Sequence, residues 1–135
     1  MPQDRESGLR ASRWGKDCAR RIAAAIGAEM LGTKSNECAW GGERTIIKCA
    51  HPNTNSVGVL YHMTNRIDGV LGAFQGKDGS YRVVRLPMER CRAIMDSKPT
   101  RSRGPSAGRV GLIPRKVFED EDRLIAVVQI EELSD

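Results

Sequence analysis

Aromatic residues are scarce in this chain, two each of Phe, Trp and Tyr or 4% of the sequence. Any core must therefore rest on Ile, Val, Leu, Met and Ala. No apolar run approaches the roughly 20 residues that a membrane helix needs. The opening residues, Met-Pro-Gln-Asp-Arg-Glu-Ser, hold no apolar segment of the signal-peptide kind, so a cytoplasmic location is expected. Cys-x-x-Cys is missing too: Cys18, Cys38, Cys49 and Cys91 stand singly. Structural zinc draws its ligands as close pairs, so Cys38, Cys49 and His51 are not expected to bind zinc, and the cysteines are expected as reduced core residues. The phosphate-cradling P-loop, Gly-x-Gly-x-x-Gly, His-Glu-x-x-His and Gly-x-Ser-x-Gly are all absent, which removes the signatures of nucleotide-binding, zinc-peptidase and serine-hydrolase sites.

Positive charge is plentiful and unevenly placed. The net charge is +5, but residues 119–135 hold seven acids against one arginine, a net of −6, which leaves +11 on residues 1–118. That asymmetry favours a polyanionic partner, with the acidic end placed elsewhere. At 135 residues the chain has the length of one domain.

Along the chain, residues 1–11 are polar and aperiodic, and a flexible N-terminus is expected there, followed by a single domain over 12–135. Ser12 is placed to cap a helix whose stripe is Trp14, Cys18, Ile22, Ala25 and Ile26, ending at Gly27. Residues 28–31 suit a first strand. Residues 37–40 and 44–50 flank Gly41-Gly42, a strong hairpin signal. Val59, Met63, Ile67, Val70, Leu71 and Phe74 recur at helical spacing, which predicts an amphipathic helix over 57–74. A strand over 80–86 and a short helix over 87–95 follow. Residues 110–118 and 124–130 are expected as a C-terminal β-hairpin around the acidic turn 119–122, with Pro114 placing the first of them at an edge. The fold class is α/β of the mixed α+β kind: a small mixed sheet in α-β-β-β-α-β order flanked by helices.

Within the hairpin, Glu37 stands at the entrance and Lys48 lies in the apolar run Thr45-Ile46-Ile47-Lys48-Cys49-Ala50. An ammonium in such a run calls for a specific partner, because burying it unpaired is costly. Together with the element order over residues 12–86, these two residues resemble the core of the restriction-endonuclease-like, or PD-(D/E)XK, superfamily. There an acid begins the second strand, and the third strand carries an acid, one spacer and a lysine. The resemblance implies Mg²⁺ held by the acids, which polarises a phosphate and lowers the pKa of an attacking water, and a lysine that orients the nucleophile. Glu37 matches the first acid and Lys48, eleven positions later, matches the lysine. The second acid's position is Ile46, which cannot hold a metal, so Glu43 is the candidate replacement ligand, with Glu29 as a further acid.

The second constellation is residues 97–109, a Pro/Gly/Ser-rich stretch with four positive charges and no acid. Lys98, Arg101, Ser102, Arg103 and Arg109 offer forks and hydroxyls to phosphate oxygens, and His51, Asn53 and Asn55 join them from the loop after the hairpin. A Cys49–His51 nucleophile pair lacks any orienting acid, and His62 is expected to pack. The expected function is DNA binding, with Mg²⁺-dependent phosphodiester hydrolysis as the activity that the resemblance implies and a homodimer if both strands are cut. The alternatives are a non-catalytic nucleic-acid-binding module, favoured by Ile46, and an assembly subunit of a larger DNA-processing complex.

Overall fold

Gly41 and Gly42 adopt φ +58° and +79°, the left-handed pair that a two-residue type I′ hairpin turn requires. They sit in a computed structural model that describes residues 5–32, 35–97, 110–121 and 123–130, with residues 5–12 described by backbone. The elements run α1 (Arg5–Ile26), β1 (Glu29–Met30), β2 (Glu37–Trp40), β3 (Glu43–Ala50) and β4 (Ser56–Leu60), then a short 3-10 helix (Tyr61–Asn65). They continue with β5 (Gly69–Gln75), β6 (Tyr81–Pro87), α2 (Met88–Ser97), β7 (Val110–Pro114), α3 (Arg115–Glu121) and β8 (Leu124–Val128). The fold is therefore of the mixed α+β kind.

Among the described residues the main sheet has six strands in the order β1-β2-β3-β5-β6-β8, and β4 pairs with β7 in a separate two-stranded sheet. β3 and β5 run parallel, while the remaining pairings are antiparallel. A parallel pair needs a crossover, and β4 with the 3-10 helix supplies it. The helix expected over 57–74 is replaced by these two elements and by β5. β5 is flanked on both edges and buried along residues 69–74. A strand covered on both faces shows no alternation, so its continuous apolar run mimics a helical stripe.

Three other expectations change. The N-terminal helix begins at Arg5 rather than at a Ser12 cap, since Arg, Glu, Leu and Ala before Ser12 favour helix even without an apolar stripe. The strand expected over 110–118 stops at Pro114 and the chain turns helical as α3. Phe118 anchors that helix, fully buried and edge-on to Phe74 with ring centroids 5.0 Å apart. Consequently the expected C-terminal hairpin does not form: β7 returns to β4, and β8 joins β6. Pro114 does lie on an edge strand.

Two cores lie on opposite faces of the main sheet. Cys18, Ile22, Ile47, Leu71 and Val83 pack under α1. Ile46, Val70, Phe74, Leu86, Met95 and Phe118 pack under the β4–β7 sheet and the shorter helices. Alternation along β3 thus assigns Thr45, Ile47 and Cys49 to the α1 face, and Arg44, Ile46, Lys48 and Ala50 to the other.

The close fit of Phe118 depends on Gly72, where an added Cβ would lie 2.6 Å from Phe74 and 2.8 Å from Phe118. Rigid rings cannot swing aside, so Gly72→Ala is expected to destabilise the fold by about 1–3 kcal/mol. Gly15, in α1, has no described atom within 4 Å of such a Cβ beyond its chain neighbours and its own helix backbone, and Gly15→Ala is expected to stabilise by up to about 1 kcal/mol. Urea unfolding of the two variants beside the parent chain checks both signs.

Candidate functional site

Because Glu37 pairs with Ile46, it shares a sheet face with Ile46 and lies diagonal to Lys48 on that face. This part of the expected constellation is assembled by the hairpin register. Glu37 is buried at 3% exposure, and a lone carboxylate there would be strongly disfavoured. Both of its oxygens are engaged. Arg44 Nε donates to Oε2 at 3.0 Å, while Arg66 donates to Oε1 through Nε at 3.0 Å and also through Nη2. Burial alone pushes the Glu37 carboxyl up, but the hydrogen bonds and charges of Arg66 and Arg44 outweigh it and hold the group below the usual glutamate range.

Lys48 occupies the same face between Ile46 and Ala50, beside Gly72 of β5. It is partly buried, and desolvation lowers its pKa from the ordinary lysine value, with the neighbouring Cys49 acting in the opposite sense. No carboxylate pairs with it among the described residues. The specific partner that its apolar flanks call for is thus not an acid of the described chain.

Glu43 does not join them. It falls on the α1 face with Thr45 and Ile47, where Arg85 grips it through two bonds of 2.8 and 2.9 Å. Ile46, at the second acid's position, is 2% exposed in the core. Glu29 stands exposed on β1, opposite Ala39. Among the described residues no group of three or more His, Cys, Asp or Glu is arranged to hold a metal ion. A site with one carboxylate, already saturated by two guanidiniums, does not fit Mg²⁺, which needs oxygen ligands and negative charge.

His51 faces the α1 side, stacked on Trp14 with ring centroids 3.8 Å apart, and so lies on the opposite face from Glu37 and Lys48. Asn53 and Asn55 are exposed in the following loop. Arg115 ties that loop down: its backbone N–H donates to the Asn55 carbonyl at 2.7 Å, and its guanidinium donates to the carbonyls of Pro52 and Gln75 at 2.9 and 3.2 Å. Lys98, Arg101, Ser102, Arg103 and Arg109 lie outside the described residues. At the far end of the Glu37 face, a hollow of about 160 Å³ is floored by Phe74 and Phe118 and rimmed by Arg82 and Glu119. The four thiols are free; burial pushes Cys38 upward and Cys91 up to about 11. His62 is exposed on the 3-10 helix rather than packed.

Arg44 and Arg66 are the residues that sequence reasoning missed. For Arg44 a signal existed, because the Gly41-Gly42 turn sets it opposite Ala39 and diagonal to Glu37. For Arg66 there was none: it lies 29 positions from Glu37 and reaches it only through the crossover. No helix among the described residues is long and apolar enough to cross a membrane. Compared with known proteins, the chain matches no family model and no curated sequence.

Two variants separate the energetics of this face. A carboxyl with a lowered folded-state pKa contributes stability above the unfolded value of about 4.3 and loses it as pH falls through the folded value. Glu37→Gln is therefore expected to cost about 1–2 kcal/mol at pH 7 and to flatten the acid limb of the stability profile, as read by unfolding between pH 7 and 3. Lys48 has the opposite sign: its lowered pKa costs stability at neutral pH, relieved as pH rises towards the unfolded value of about 10.4. Lys48→Met is expected to stabilise by roughly 1 kcal/mol, raising Tm by a few degrees.

Proposed function

We propose that this protein is a DNA-binding module whose restriction-endonuclease-like arrangement serves binding rather than hydrolysis. The observation that carries the reading is the state of Glu37: the one carboxylate at the expected metal position is buried and neutralised by two arginines, with Ile46 in the core beside it. A metal centre concentrates negative charge, whereas this site carries a net positive one. Exposed Arg13, Arg20 and Arg21 on α1, with Lys77, Arg82, Arg92 and Lys116 elsewhere, supply the sequence-independent attraction that a polyanion requires. The charge segregation along the chain supports the same partner, and a cytoplasmic location belongs to this reading.

A second reading, a metal-dependent endonuclease, is favoured by a specific feature: Glu37 and Lys48 share one face next to the parallel β3–β5 pair. Incubation with plasmid DNA in Mg²⁺, Mn²⁺ or EDTA separates the two. The expected outcome is retarded, intact DNA in all three, with log affinity falling linearly as log salt rises. Metal-dependent cutting that disappears in Glu37→Ala and Lys48→Ala would establish the nuclease instead. An absence of any binding would remove both.

A further inference from the structure

We infer that Arg44 and Arg66 form a clamp for one backbone phosphate, held in place by Glu37. This inference rests on the DNA-binding reading and names the site that would carry it.

Arg44 commits only its Nε to Glu37 and Arg66 commits Nε and Nη2. Both amino groups of Arg44 and Nη1 of Arg66 have no other partner among the described residues. The side chains are 51% and 49% exposed while the Glu37 side chain is 4% exposed. The carboxylate therefore lies beneath, and the arginines extend from it to the surface. A guanidinium uses its Nη edges to fork onto phosphate oxygens, and those of Arg44 are the free ones.

Charge and entropy favour the same occupant. Two guanidiniums on one carboxylate leave one positive charge, which repels a metal ion and attracts an anion. Two acids lie on this side: Asp68, whose Oδ2 accepts from the Arg44 backbone N–H at 3.0 Å, and exposed Glu29, on the same face opposite Ala39. Arg92 of α2, donating to the Thr64 carbonyl two residues before Arg66, and Lys48 on the same face offset them. Long arginine side chains ordinarily lose rotamer freedom when they grip a ligand. Glu37 has already restricted both, so less is lost on binding.

Glu37 is thus a positioning residue, and its substitution makes an unusual prediction. Removing a negative charge beside a phosphate site should tighten binding if charge alone counts. If Glu37 positions the arginines, Glu37→Gln should weaken binding instead.

The test uses the full chain, a fluorescently labelled DNA duplex and anisotropy over a range of salt. Thermal melts are recorded for every variant, and Arg44→Lys and Arg66→Lys serve as charge-preserving variants should a glutamine variant not fold. Arg44→Gln and Arg66→Gln are each expected to weaken binding by about 3- to 10-fold and to reduce the salt slope by about 1. The lysine variants are expected to keep the slope but lose affinity. Glu37→Gln is expected to weaken binding several-fold with little change in slope. Arg123→Gln, beside Glu121 on the acidic segment, is the comparison. If the parent chain binds DNA and the Arg44 and Arg66 variants match Arg123→Gln, the clamp is overturned and the DNA-binding reading stands. Tighter binding by Glu37→Gln overturns the positioning role.

Inorganic phosphate distinguishes a free anion from a backbone one and probes the clamp even if no DNA binds. Titration followed by the arginine side-chain NMR signals is expected to shift Arg44 and Arg66 Nε more than an equal concentration of chloride does. Equal shifts with both anions would count against the clamp.

Discussion

A carboxylate taken out of water must be paired, and the way Glu37 is paired organises this molecule. Its two arginines come from different parts of the chain, Arg44 from the hairpin partner strand and Arg66 from the segment after the 3-10 helix. One buried charge therefore ties β2 to β3 and both to the crossover that delivers β5. Asp68, which begins that delivery, accepts from the Arg44 N–H and donates its own N–H to the Arg44 carbonyl at 2.6 Å. The parallel register of β3 and β5 starts one residue later, with Thr45 beside Gly69. Half-exposed arginines and a buried acid make this a stronger arrangement than a surface ion pair, and one that breaking any single partner would damage.

The alternation of β3 then distributes the chemistry. Residues one apart point to opposite faces, so Glu43 and Lys48 are separated by a packed sheet although they belong to one strand. Glu43 is consumed by Arg85 on the α1 face, and Lys48 lies with Glu37 on the other. The same parity sends His51 to Trp14 and away from the Glu37 face. A metal site assembled on paper from Glu37, Glu43 and Lys48 thus divides into two ion-pair systems and one partly buried lysine. The Glu37 system places two half-exposed guanidiniums over one buried carboxylate.

How much of this was legible depended on how locally each element is encoded. The hairpin was, because Gly41-Gly42 specifies both the turn and the register. The first helix was recognisable from its stripe, although its start was not, since α1 extends into residues where propensity and not periodicity decides. β5 was misread because Val70, Leu71 and Phe74 are buried by neighbours on both faces and both edges. Nothing local separates such a strand from a buried helix turn. The β7–α3–β8 segment was misread because Phe118, buried between Gly72 and Phe74, selects helix from a distance.

The sequence by itself determined the mixed class, the hairpin register and the placing of Glu37 and Lys48 on one face, because alternation and two-residue turns act between near neighbours. It also determined that Ile46, and no acid, stands between them. The tertiary structure alone decided what Glu37 is paired with. Arg66 reaches it across 29 positions of chain, and a desolvated carboxylate needs such a charge to offset its burial. Long-range closure brings that charge, and no spacing in the sequence encodes it.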